Sequence, residues 1–267
     1  MDTKLLSKKF AEMGARVQVT HFKIGRFGSN EQDRIDIKSD GKGEYFDIRI
    51  AEVDQVDYEV IDVRPDMRHL LLMSRREWGK QKFLCGHDER HWFVCAVPGE
   101  SVSNVVSAME ALQPREVRRV VNRRVKRVKD RLRRRNKAFV RQGEWFFVPV
   151  EALSVNPKLV LRNEALSRGG GSKSHMCQHL YRTGGEMVWV SPRYPQGISD
   201  ARYRALLPTL SKAESWGFKQ MMREPMVYVR GRVWHPDHKT IVLNEWHRVL
   251  MNTEREAPGA RNVVFLD

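Results

Sequence analysis

The feature that most restricts this chain is a run of charge that no protein interior accepts. Residues 115–137 hold thirteen basic side chains and two acidic ones, Glu116 and Asp130, a local excess of +11. The whole chain of 267 residues sets 48 Lys and Arg against 33 Asp and Glu, a net +15, so the remainder is close to balanced at +4. Charges of one sign cannot neutralise one another in a core, so this stretch must lie on a surface. Within it Val117, Val121, Val125, Val128 and Leu132 recur at steps of three and four, the spacing of one helical face. Pro114 suits a first helical position, where its missing N–H has no partner in any case. The spacing predicts about six turns of helix over residues 115–137, with an apolar seam and Arg or Lys around the rest.

On both sides of this stretch the sequence reads as strands. Arg16–Ile24, Arg34–Lys38, Tyr45–Ile50, Tyr58–Val63 and His69–Met73 are rich in β-branched and aromatic residues and are separated by Gly, Asp, Asn and Ser. Lys82–Pro98 has the pattern of a hairpin with Gly86–Arg90 at its tip. Ser101 or Ser103 is placed to cap a short helix whose inner face is Val105, Met109 and Leu112. Beyond residue 141 the pattern predicts a strand at Trp145–Val150, a short helix at His175–Arg182 and a strand at Met187–Ser191. Residues 199–224 read as helix in two pieces broken at Pro208, with Tyr203, Leu206 and Leu207 in the first and Phe218, Met221 and Met222 in the second. Strands follow at Met226–Trp234, Thr240–Leu243, Trp246–Met251 and Asn262–Leu266. The expected architecture is α+β: a β-rich domain over 1–100, a helical connector over 101–140, and an α+β domain over 141–267.

An apolar share of 41% supplies a core and excludes wholesale disorder. No run approaches the roughly 18 apolar residues of a membrane helix, and the start carries no apolar stretch of the kind a secretory signal needs. Cys85, Cys95 and Cys177 are too few and too odd in number for a disulfide framework, which fits a cytoplasmic, reducing setting.

Clustered arginine on one element is the electrostatic footprint of a nucleic-acid-binding protein. The expected phosphate contacts are Arg118, Arg119, Arg123, Arg124, Lys126, Arg127, Lys129, Arg131, Arg133, Arg134, Arg135 and Lys137, with Lys173, Arg230, Arg232 and Lys239 from later segments. Solvated linker helices mix their charges, and this one does not. Helices that lie on membranes or dock on calmodulin-type partners carry Trp, Phe or Met in the seam, whereas this seam is valine, so no membrane partner is expected. RNA is preferred over DNA because arginine-rich segments commonly serve RNA and no DNA-reading motif is present, which suits a ribonucleoprotein assembly. Trp234 and Trp246, near Arg230, Arg232 and Arg248, are the best placed aromatics for stacking on bases. An acidic protein docked on the basic helix is the alternative partner.

Six of the nine histidines fall in three pairs. His87 and His91, in Cys85-Gly86-His87-Asp88-Glu89-Arg90-His91, match no metal-ligand spacing and fit a charged turn. His175 and His179 would share a face if that segment were helical, although the glutamate of a two-histidine zinc enzyme is replaced by Met176. His235 and His238, around Pro236-Asp237, would complete a set of four nitrogens, His175, His179, His235 and His238, suited to zinc. No cofactor is demanded by the sequence, and zinc is the one these residues would hold. An enzyme built on them would be a metal-dependent nuclease or hydrolase acting on nucleic acid, with His238, Asp237 and Glu254 as catalytic candidates and Asp237 or Glu254 as base. The competing account gives the histidines to turns, to base stacking and to the core.

His238-Lys239-Thr240 is a single His-x-Thr element, where two-histidine phosphoesterases use two. Gly169-Gly170-Gly171-Ser172-Lys173-Ser174 lacks the spacing of the nucleotide-triphosphate loop, and retains only backbone N–H groups and a lysine to offer an anion.

The order of Arg141-Gln142-Gly143-Glu144, Ser174-His175, His235-Pro236-Asp237-His238-Lys239-Thr240-Ile241 and Asn252-Thr253-Glu254 resembles a group of bacterial and phage-borne hypothetical proteins with an Arg-Gln-Gly-acid strand and a His-x-x-His strand. The resemblance covers residues 141–267 and brings no activity with it. It implies a prokaryotic setting and proximity of His175, His235, His238 and Glu254.

Overall fold

The computed structural model describes residues 2–23, 34–51, 56–77, 79–99, 101–167 and 173–256. The glycine run through Ser172 and the expected strand at Asn262–Leu266 lie outside them. The chain forms two compact units, Met1–Lys137 with Asn252–Ala260, and Ala138–Met251 with Arg261–Asp267. Among the described residues β-strands dominate, arranged in four sheets.

In the first unit Asp2 starts α1 (Thr3–Glu12) by accepting the N–H groups of Lys4 and Leu5 at 2.9 and 3.1 Å. Leu6 and Phe10, one turn apart, are its buried face. β1 (Val17–Phe22) runs parallel to β3 (Gly43–Ala51), which pairs antiparallel with β2 (Arg34–Asp40). The second sheet is a meander of β4 (Asp57–Arg64), β5 (His69–Arg76), β6 (Gly79–Asp88) and β7 (His91–Val97). β5 is buried on both faces, which is why its leucines run without alternation. Leu70 and Leu72 pack with Leu6, Phe10, Phe46 and Ile48, while Leu71 packs with Val97, Val105 and Met109.

The last two of those residues lie on α2 (Val105–Ala111), so this helix is part of the unit's core and not a connector. Its cap is Asn104, not Ser101 or Ser103: the Asn104 side chain takes the Ser107 N–H at 2.8 Å.

The long arginine-rich helix does not form. α3 (Arg115–Arg124) ends where Val125 turns extended, with φ −111° and ψ 100°, and α4 (Val128–Arg131) is a single turn. Val117, Val121 and Val125 are buried and Leu132 is half-buried, as the seam requires, but Val128 is 69% exposed. Local physics accounts for the break. Arg119, Arg123, Arg127 and Arg131 stack like charges at i,i+4, each pair costing a few tenths of a kcal/mol, and valine is an indifferent helix former.

The second unit carries a six-stranded antiparallel sheet in the order β10–β11–β15–β16–β9–β8. Its strands are β8 (Val140–Gln142), β9 (Trp145–Pro149), β10 (Leu161–Leu166), β11 (His175–Thr183), β15 (Met226–His235) and β16 (His238–Met251). The remaining strands, β12 (Glu186–Ser191), β13 (Tyr194–Ile198) and β14 (Lys219–Arg223), form a small sheet beside α5 (Asp200–Leu206) and α6 (Lys212–Trp216). Trp145, Phe147, Cys177, Leu180, Val229, Val233 and Leu243 fill the core of the large sheet.

Three local expectations are corrected here. The segment His175–Arg182 is strand, because Cys177 and Leu180, both 0% exposed, are packed between two antiparallel neighbours and tertiary pairing overrides propensity. The second piece of 199–224 is a short α6 followed by β14, so Met221 and Met222 are on a strand. The two strands expected at 240–251 are one, fourteen residues long.

Candidate metal centre

His175 is the first residue of β11, His235 the last of β15 and His238 the first of β16. His235 faces His238 across the two-residue turn Pro236-Asp237, and the pairing of Met176 with Trp234 brings His175 level with them. Cys177 and Val233 point into the core, so alternation turns His175 and His235 to that same side. The ring of His175 lies 4.3 Å from that of His235 at 25° and 5.5 Å from that of His238 at 20°. His235 and His238 are 4.8 Å apart. One nitrogen from each ring falls within 4.8 Å of the others. Tetrahedral zinc needs nitrogens about 3.4 Å apart, so the widest pair closes by roughly 1.4 Å on binding.

The Arg-Gln-Gly-acid segment supplies the other wall. Gln142, 1% exposed, donates from Nε2 to the carbonyl of Lys239 at 2.7 Å, tying the β8–β9 turn to the start of β16. Gly143 follows with φ +56°, and a Cβ there would lie 2.9 Å from His238 Nε2 and 3.4 Å from His175 Nε2. Only glycine takes this backbone conformation cheaply and lets the turn come so close to two imidazoles. The sheet is therefore curled enough for its β8–β9 end to meet β11 and β16.

His175 is 1% exposed, and neither of its ring nitrogens has a hydrogen-bond partner among the described residues. Gln142 Oε1 and Trp145 Nε1 are also buried without one, and the Trp145 ring is 6.5 Å from that of His175. A buried polar atom left unpaired costs about 1–3 kcal/mol, so several at one place ask for a ligand. Burial pushes the His175 pKa down to about 3, helped by the charges of His235 and His238 and opposed by Asp237. The imidazole is neutral at physiological pH, with a lone pair to give. His235 Nδ1 accepts the Asp237 N–H at 3.1 Å. Coordination through Nδ1 would use that lone pair, and coordination through Nε2 would place a proton there, so either mode breaks the contact.

His179 stands apart from this group. A register shift between Cys177 and His179 leaves it paired with Arg230, on the face opposite Leu180 and Val229. Asp237 is held by Lys173, whose Nζ is 2.8 and 2.9 Å from its two oxygens. Glu254 belongs to the first unit, where its carboxylate accepts the Ala96 N–H at 3.3 Å. At the first-unit hairpin tip His87 packs edge-on against Trp92, and His91 shares a 2.7 Å hydrogen bond with Glu44. Of the basic candidates, Arg118, Arg119, Arg123, Arg124, Lys126, Arg127, Lys129, Arg133, Arg135 and Lys137 are exposed, as are Arg230, Arg232 and Lys239. Arg131 is half-buried, and Arg134 is committed to Asp88 and Glu89. The roles of Gln142, Gly143 and Trp145 had a signal in sequence only as an unexplained motif.

Comparison with protein-family models, curated proteins and solved structures gives no match. The class of site therefore rests on its own donor set: three imidazoles converging at the curled end of a sheet, which suits a borderline divalent metal such as zinc.

Proposed function

We propose that this is a nucleic-acid-binding protein, RNA before DNA, whose second unit holds one zinc ion through His175, His235 and His238. The observation that carries the metal centre is the buried His175 ring, with two unpartnered nitrogens beside two further histidines. The nucleic-acid reading is supported by the exposed basic side chains of α3, α4 and the segment after them. Three free, buried cysteines suit a cytoplasmic setting.

A second reading, metal-dependent hydrolysis of a phosphodiester, is favoured by the three-ligand set, which leaves a coordination position open as catalytic zinc sites do. The ion would supply Lewis-acid polarisation of a phosphoryl oxygen. Asp237 would act as base only after release from Lys173.

Metal analysis of protein purified without chelator tests the centre. About one zinc per chain, lost in His175→Ala and His238→Ala, is expected; no stoichiometric metal and no zinc uptake by calorimetry would remove it. The absorbance ratio at 260 and 280 nm, before and after RNase, tests for bound RNA. Loss of nuclease activity with chelator, restored by zinc, separates the second reading from binding alone.

A further inference from the structure

The large sheet of the second unit has an outer face that the metal centre does not use. Leu180 and Val229 point into the core as cross-strand partners, so their neighbours His179 and Arg230, also partners, point outward. Arg162 on β10 pairs with His179 and extends the row to the sheet's edge. At its other end the Arg230 guanidinium lies over the Trp246 ring on β16, 5.2 Å from the centroid. Arg162 and Arg230 are exposed, and His179 and Trp246 are half-buried. Two residues along the same strands, Tyr181 lies 6.4 Å from Trp246 and 6.3 Å from Tyr228, extending the aromatic surface beside the row.

A bulge lies within this face. Gly231, at φ +89°, sits where a Cβ would lie 2.5 Å from Gln178 Oε1, and that oxygen accepts the Arg232 N–H at 2.9 Å. Val229 and Val233 on either side are core residues, so strand alternation leaves both Arg230 and Arg232 on the exposed face. Glu164, the acid next to this row on β10, is taken up by Arg182 at 3.2 Å.

From Arg162 to Trp246 the row crosses four strands, about 14 Å at the usual spacing between strands. A flat cation backed by an indole offers a base a stacking surface, and flanking arginines meet the phosphates. We propose that this face is a platform for single-stranded RNA, with a base stacked on the Arg230–Trp246 pair and Arg162 and Arg232 on the backbone. Unlike the basic segment of the first unit, which reads only charge, it would prefer unpaired bases to duplex. The inference rests on the nucleic-acid reading and adds a second, separate contact surface to it.

The test is titration of the full chain with a fluorescent oligo-uridylate and with an RNA duplex, together with ultraviolet crosslinking and peptide mapping. Trp246→Ala and Arg230→Ala should each weaken single-strand binding about tenfold and leave duplex binding nearly unchanged. Arg162→Glu, at an exposed edge position, should weaken it and lower the salt dependence by about one ion, and keeps the test open if Trp246→Ala disturbs folding. Trp246→Phe should retain most of the affinity. A crosslink in the peptide containing Trp246 would support the platform. Wild-type binding lost on charge reversal of residues 123–131 but unmoved by Trp246, Arg230 and Arg162 would overturn the platform and leave the general reading intact. Failure of the wild-type chain to bind any RNA would overturn both.

Discussion

The histidine cluster and the arginine-rich segment are both concentrations of polar groups, and water treats them oppositely. In the segment after Pro114 nearly every cation is exposed, so its charges are hydrated and tolerable with or without a partner. At the cluster His175 is 1% exposed with unpaired nitrogens, and hydration is denied. Fewer groups therefore say more: a solvated run of +11 admits several partners, whereas a dry, unpaired imidazole beside two others asks for one kind.

The largest test of that contrast is His175→Leu. It should abolish zinc binding, yet leave the metal-free protein as stable or more stable by about 1 kcal/mol, because an unsatisfied polar group is replaced by an apolar one. In saturating zinc the wild type should gain roughly 4 kcal/mol that the variant does not. Denaturant melts with chelator and with zinc read both. A metal-free variant several kcal/mol less stable than wild type would mean that the imidazole already has its partner.

Next in size is acid sensitivity. His175 titrates at about 3 in the folded chain, against an ordinary 6.5, so below pH 6.5 the unfolded chain takes up a proton that the native one refuses. Its contribution is complete above pH 6.5 and is lost as pH falls towards 3, with a slope approaching about 1.4 kcal/mol per pH unit. Chelated protein melted across this range should show that slope, and His175→Leu should flatten it.

Gly143→Ala should cost about 1–2 kcal/mol for a left-handed backbone and weaken zinc binding at least tenfold, since the new Cβ sits 2.9 Å from His238 Nε2. Unchanged zinc affinity would show that His238 does not ligate through Nε2.

The two regions also differed in how far they could be read from sequence. The β-rich character, the strands around Leu70, Trp145 and Val229, and the buried trio Val117, Val121 and Val125 follow from composition and periodicity that tertiary contacts only reinforce. His175, His235 and His238 were legible as candidates, but for His175 through a helix that is not there. A spacing of four places two histidines together only on a helix; on β11 the register shift sends His179 to the other face. Gln142 and Gly143 reach the site because a sheet curls, and curling comes from strand order and long-range pairing that no local window contains.

The smallest expected effect sharpens the point about the helix. A continuous helix over 115–137 would bury Val128 as deeply as Val121, four and three residues along one seam through Val125. With α3 ending at Arg124, Val121 is 3% exposed and Val128 is 69% exposed. Val121→Ala should therefore cost about 2 kcal/mol through a cavity in the first unit, while Val128→Ala should fall within about 0.5 kcal/mol of wild type. Equal losses in paired chemical melts would restore the unbroken helix. A loss at Val121 alone would leave Lys126 and Arg127 in the break between α3 and α4, off the axis of either helix.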